Sequence, residues 1–471
     1  MKLAKAFFYF LLFTSAICIY VMSNSGCAQV GAPTGGPKDT LPPVLVIANP
    51  PMHTINFKGN KIVFTFDEYI DLDQPNSNVL ISPYPKKTAN VTNNLKTLTV
   101  KLKDTLLANT TYTIDFGKAI KDVNEGNVLK NFYYVFSTGN TIDSMAIIGN
   151  VVEAETGKVD STLIVTLYKN LVDTAVENFR PNYVARLDGK GRFVFRNLPP
   201  GDFNIYAVSD DNGNKTYSSK SQDFAFCDSV IHVSDSIQSV TLYAYAEEKK
   251  PEKQKTTTNQ TSAKSKAPKE TKLRFNTSLE KNKQDLLSDL QLTFNHTLKD
   301  FDSTEIYLTD TFYKPFKNAI VTIDTTRKIV SIKNAWVENT DYRLIIDTAA
   351  VSDSSNTRLR KIDTLSFETE QQSEYGSILI RITNFDKSKH PVLLFVQSDK
   401  IVKSVPMNSA EWSDNIFEPG NYEVRVLFDR NENGKWDPGD YEKKIQPEIV
   451  IQADKKLSIK ADWDNEREIH L

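Results

Sequence analysis

The sequence is poor in residues that build cross-links and metal centres. Among 471 residues there are 3 Cys and 5 His, too few for a disulfide framework or a thiolate zinc cluster. The histidines, His53, His232, His296, His390 and His470, never lie close together in the chain, which excludes an HExxH-type zinc helix. No GxSxG elbow, P-loop or GxGxxG phosphate cradle is present. Charge of one sign is lacking as well: 57 Lys and Arg against 59 Asp and Glu leave a net charge of −2. That is the balance of an ordinary soluble protein, and it excludes a basic nucleic-acid binder and a polytopic membrane protein. What is abundant is core-forming side chains, with 26 Phe and 19 Tyr. At ~100–200 residues per domain, the length corresponds to three or four domains.

Residues 1–26 read as a signal peptide. Lys2 and Lys5 precede an apolar run from Ala6 to Met22, shorter than the ~20 residues of a spanning helix, and small residues follow it. Ser25-Gly26-Cys27 resembles a bacterial lipobox. That resemblance implies a lipidated Cys27 at the start of a mature lipoprotein, anchored to the membrane by several acyl chains. A plain secretory signal and an uncleaved anchor are the alternatives. Residues 27–38, rich in Gly and Pro, read as a tether. If Cys18 leaves with the signal and Cys27 is lipidated, Cys227 is the remaining thiol. Its neighbours Phe224, Phe226 and Val230 place it on a strand, buried and inert.

From Pro42 onward the chain consists of short runs rich in Val, Ile, Thr, Tyr and Phe, separated by Asn, Asp, Gly and Pro. Lys61-Ile-Val-Phe-Thr-Phe66 and Leu98-Thr-Val-Lys-Leu102 alternate as half-buried strands do. The fold class is therefore all-β, built of sandwiches. Residues 246–272 interrupt it with eight Lys, four Glu and almost nothing apolar, the composition of a disordered linker. The two halves around that linker look duplicated. Lys61-Ile-Val-Phe-Thr-Phe66 lines up with Asp289-Leu-Gln-Leu-Thr-Phe294. Leu107-Ala-Asn-Thr-Thr-Tyr112 lines up with Val337-Glu-Asn-Thr-Asp-Tyr342, and Phe136-Ser-Thr138 with Phe367-Glu-Thr369. Leu198-Pro-Pro-Gly-Asp-Phe203 lines up with Phe417-Glu-Pro-Gly-Asn-Tyr422. The order is A, B, linker, A′, B′.

Module A resembles the SbsA-type bacterial Ig-like domain, through Asp39-Thr-Leu-Pro-Pro43, Phe64-Thr-Phe-Asp-Glu68, Leu107-Ala-Asn-Thr-Thr-Tyr112 and Phe136-Ser-Thr138. A′ departs from it where Asp67-Glu68 became Asn295-His296. The B modules are similar to transthyretin-like or carboxypeptidase-regulatory-like sandwiches, whose mark is a Pro-Gly turn entering a strand. The boundaries are residues 39–139 for A, 144–245 for B, 273–370 for A′ and 374–471 for B′. Lipobox, Ig-like module and regulatory-like module together resemble envelope lipoproteins of Bacteroidota. That resemblance implies a non-enzymatic stalk, adhesin or scaffold, outer-membrane anchored and facing either the surface or the periplasm. The alternative is an accessory lipoprotein that binds glycan or peptide. Its partners would be the membrane and an envelope protein or glycan, with no nucleic acid.

One stretch has ligand spacing. Counting from Asp429, oxygen-bearing side chains fall at positions 1, 3 and 5 (Asp429, Asn431, Asn433), and Gly434 is at 6. A carbonyl from Lys435 is at 7, and Asp437 and Asp440 are at 9 and 12. This is the pattern of an EF-hand-type calcium loop, with calcium as the only cofactor the sequence suggests. The same residues also suit an Asx- and Gly-rich hairpin tip whose side chains bond their own backbone. In the first copy Ser218 and Ser221 replace the two distal carboxylates, so calcium is expected only in the second. Asp67 and Glu68, adjacent on a strand, would point to opposite faces and form no acid and base pair. Trp412, Trp436 and Trp463 suit either a sugar platform or core packing.

Overall fold

Strands form where apolar and polar residues alternate, because successive side chains on a strand point to opposite faces. In Lys61–Phe66 the residues Ile62, Phe64 and Phe66 are buried, while Lys61 is exposed. The computed structural model describes residues 2–23, 38–210, 213–234, 238–248 and 272–471. Cys27, the tether apart from Lys38, and linker residues 249–271 lie outside the described residues. The chain divides into two compact units, Met1–Ile142 and Asp143–Leu471.

In the first unit, Lys2–Ser23 form a helix. Among the described residues no helix is long and apolar enough to cross a membrane. Module A is an antiparallel sandwich. One sheet carries the strands Leu45–Asn49, Lys61–Phe66, Thr97–Lys101 and Asn90–Asn94 in that spatial order, and the other carries Leu80–Ser82, Thr111–Asp115 and Tyr133–Ser137. Between them Phe64 meets Phe116, Phe132 and Tyr134 edge to face, with ring centroids 5.1–5.8 Å apart, the geometry aromatic quadrupoles favour.

In the second unit, A′ repeats that plan. Its first sheet has the order Phe275–Thr277, Leu290–Phe294, Ile329–Lys333, Ile320–Ile323. The repeated sequence motif has a structural cause. Asn109 and Asn339 both sit at φ 49°, a left-handed turn that Asn tolerates better than most residues. The Tyr112 and Tyr342 hydroxyls accept from the N–H of Leu107 and Val337, and the Thr138 and Thr369 hydroxyls accept from the N–H of Thr110 and Thr340. B and B′ also share a plan. Each has a central strand, Met145–Glu153 or Gly376–Thr383, flanked by one antiparallel and one parallel neighbour. The fold is thus all-β, tandem sandwiches in duplicated order.

Cys227 departs from expectation: it lies just past the strand Phe224–Phe226 and is half-buried, with its Sγ 3.9 Å from Ser229 Oγ. The backbone ladder with Gly201–Val208 ends at Phe226, opposite Tyr206, so Cys227 falls outside the strand.

Candidate functional site

The ligand-spaced loop follows the strand Gly420–Phe428 of B′. Asp429 is buried, and its carboxylate accepts the backbone N–H of Gly434 at 2.6 Å and of Asn433 at 3.3 Å. Gly434, at φ 75°, makes the left-handed turn that brings its N–H inward. Asp437 Oδ2 accepts from both Asn431 Nδ2 (2.6 Å) and Asn433 Nδ2 (2.7 Å). The N–H of Lys435 donates to Asn433 Oδ1 at 2.7 Å. Asp440 does not join them. Its carboxylate holds the backbone and Nζ of Lys443, and these bonds keep it below the usual carboxylate range.

Sequence reading missed Glu448, which is buried and ties the two ends of the loop. Its carboxylate accepts from the N–H of Arg430 (2.7 Å) and of Asp437 (3.0 Å), and its carbonyl accepts from the Trp436 indole (2.7 Å). Burial pushes the Glu448 carboxyl upward; the two N–H donors oppose that and the neighbouring Asp429 and Asp437 add to it. The carboxylates of Asp429, Asp437, Asp440 and Glu448 are therefore occupied by donors of the loop itself. Among the described residues no group of three or more His, Cys, Asp and Glu side chains is placed to hold a metal ion. As arranged, Asp429 and Asn433 bond the loop's own backbone and Asp437 its amides, as side chains of an Asx-rich tip do.

The other thing sequence reading missed is where this loop goes. It carries Tyr441 into a socket on module B lined by Tyr206, Tyr217, Phe224, Phe226 and Tyr245. The Tyr441 ring meets Phe224 and Phe226 edge-on at 4.9 and 5.1 Å. Its hydroxyl donates to the Asp173 carbonyl at 2.6 Å and lies 3.1 Å from the Tyr206 hydroxyl. Burial, then Tyr206, pushes that hydroxyl far up its range. Around the ring, Gln446 Nε2 donates to the Phe226 carbonyl and to Asp228, and the Val450 N–H donates to the Ala154 carbonyl at 2.9 Å. Backbones approach so closely beside it that a Cβ at Gly157 would lie 2.8 Å from the Val450 oxygen. Trp436 packs against this aromatic cluster and also against Val392, Leu394, Val396, Leu427 and Val450 of B′. Module B′ is thereby clasped to module B.

The remaining candidates do not assemble. Trp412 leans on Phe395 and Phe417, Trp436 sits in the clasp, and Trp463 is 59% exposed with Lys460 over its ring. Among the described residues no two of these indoles are in ring contact. Asp67 is exposed and accepts the Val44 N–H. Glu68 is half-buried and raised, by burial first and then by Asp122, Asp67, Asp39 and Glu125. In A′ the counterpart of Glu68, His296, instead contacts the buried Asp353 at 2.9 Å. A concavity of about 400 Å³ in module A is lined by Tyr84, Lys87, Asp104 and Tyr112 among others. There Asp104 accepts the Lys87 backbone N–H.

Residues 39–138 match the bacterial Ig-like domain family. No curated protein matches the chain in sequence. Among solved structures, the Bacillus anthracis TIE protein is 10% identical over 93% of this chain and 76% of its own, with a TM-score of 0.16. The N-terminal part of the bacterial S-layer protein SbsC is 17% identical over 44% of each chain, also at 0.16. BcpA, the major pilin subunit of Bacillus cereus, is 8% identical over 70% of this chain and 99% of its own, again at 0.16. Scores of this size do not establish a shared arrangement of modules.

Proposed function

We propose that the chain is a non-enzymatic, lipid-anchored protein of the bacterial cell envelope, a scaffold of β-sandwich modules of the kind seen in Bacteroidota lipoproteins. The observation that supports this most is how its polar and aromatic loops are used. The loop with the most chemistry-bearing residues, Asp429 to Glu448, satisfies its own carboxylates and joins one module to another. Ig-like and similar sandwiches host many functions, so the reading rests on this site and on the N-terminal segment. The apolar helix Lys2–Ser23 and the Cys27 that follows it support a lipoprotein signal. Calcium on Asp429, Asn431, Asn433, Lys435, Asp437 and Asp440 is the other reading of the loop. The commitment of Asp440 to Lys443 favours the clasp.

Labelled palmitate supplied to expressing cells is expected to enter the wild-type chain and to be absent from Cys27→Ala. Equal labelling of Cys27→Ala, or no label in the wild-type chain, would overturn the anchor. Binding of the purified chain to members of a glycan array would replace the scaffold reading with that of a glycan-holding accessory lipoprotein.

A further inference from the structure

The loop Asp310–Lys317 of A′ ends in an apolar tip that faces solvent. Phe312 is 88% exposed, the most of any large apolar side chain among the described residues, and Tyr313 is 58% exposed. Lys314 and Lys317, both exposed, follow them. The tip is preformed. Asp310 Oδ1 accepts the N–H of Phe312 at 2.8 Å and of Lys314 at 2.9 Å, and the Phe316 N–H donates to the Leu308 carbonyl at 2.9 Å. Tyr313 is held at φ 63°, a costly conformation for a bulky side chain. Its ring carries the Arg343 guanidinium 4.6 Å from the centroid, and Phe316 roots the loop against Tyr342 at 5.1 Å.

Folding alone gives no reason for this arrangement. Rings such as Phe64, Phe136 and Phe395 are fully buried elsewhere in the chain, whereas Phe312 is held in water on a strained turn and gains no burial. The only acid in the tip, Asp310, already receives two backbone N–H bonds. Its single negative charge stands against Lys314, Lys317 and Arg343, so these groups together are net positive. Aromatic side chains next to basic ones are what the headgroup region of a bilayer accommodates: rings enter the interface and ammonium groups meet phosphates. We propose that this tip is a docking point for an anionic lipid surface. Phe312 and Tyr313 insert between headgroups, and Lys314 and Lys317 lie on the phosphates. The proposal relies on the envelope reading above for the presence of a membrane, but not on lipidation of Cys27.

The test therefore uses the unlipidated chain from residue 28, which keeps every strand described here. It is sedimented with vesicles of phosphatidylcholine containing 30% phosphatidylglycerol, and with pure phosphatidylcholine. The expected result is binding to the anionic vesicles, weakened at least about tenfold in F312S/Y313S. A loss of about fivefold per charge is expected in K314E and K317E, with a shallower salt dependence. Melting temperatures of these surface variants should equal that of the parent, which separates lost docking from lost folding. Equal binding by F312S/Y313S, or no binding by the parent chain, overturns the proposal. So does concentration-dependent self-association that the same variants abolish, since the tip would then dock a second copy. Palmitate labelling of Cys27 is read separately, so a failure of the anchor and a failure of the tip give different outcomes.

Discussion

Two tyrosine hydroxyls in the socket differ in a way that unfolding measurements can read. The Tyr441 hydroxyl has two partners, the Asp173 carbonyl and the Tyr206 hydroxyl. The Tyr245 hydroxyl is buried with none among the described residues, and burial drives it strongly toward the protonated form. A buried polar group costs stability unless it is bonded, and removing a bonded one strands its partners. Tyr441→Phe should therefore lower stability by about 1–2 kcal/mol. Tyr245→Phe should be neutral or should raise stability by up to about 1 kcal/mol, because it deletes an unsatisfied hydroxyl and keeps the ring. Urea unfolding of the intact chain compares the two. Equal losses in both would mean that the Tyr245 hydroxyl is as well bonded as that of Tyr441.

At the scale of elements, alternation made the sandwich strands legible, and the paired motifs made the duplication legible. In Arg192–Leu198 the residues Phe193 and Phe195 are buried while Arg192, Val194 and Arg196 face out, as the period of two requires. What was not legible is the second buried face. Phe224–Phe226 and Pro391–Gln397 are continuous apolar runs, buried through Phe226 and through Val396. Such runs mark strands covered on both sides; Phe224 and Phe226 are covered by Tyr441 of B′, and Val392, Leu394 and Val396 by Trp436 of the loop. Periodicity reports that a face is buried but not what covers it, so neither Tyr441 nor Glu448 could be placed from spacing. The same limit applies to the calcium pattern, which counts ligand positions without showing that Asp437 faces two amides and Asp440 faces Lys443. For the loop as built, millimolar calcium or chelator should leave the melting temperature of the chain unchanged. A rise of several degrees with calcium would mean that the loop opens its carboxylates to the ion, as mass action on the folded state requires.

For the second unit as a whole, the clasp changes what a duplicated A-B-linker-A′-B′ order means. In an extended stalk, B and B′ would be kept apart by A′, and residues 249–271 would be the only connection between the two halves of the chain. Here B′ holds B through Tyr441, Gln446, the Val450–Ala154 backbone bond and the Lys444–Asp173 ion pair. The halves are thus joined twice, once covalently and once through an aromatic socket. A protease recognition sequence placed within residues 250–270 separates the two kinds of connection. After cleavage the fragment ending in B and the fragment starting in A′ should co-elute in size exclusion, because the socket remains filled. Adding Tyr441→Ala empties the socket at a cost of about 3–5 kcal/mol, the usual range for deleting a buried aromatic ring. The cleaved variant should then elute as two separate species at micromolar concentration, while the uncleaved variant stays a single chain whose B and B′ modules unfold in separate steps. Separation of the wild-type fragments on cleavage would show that the socket alone cannot hold the modules together. The chain would then act as a stalk whose length is set by the segment between its halves.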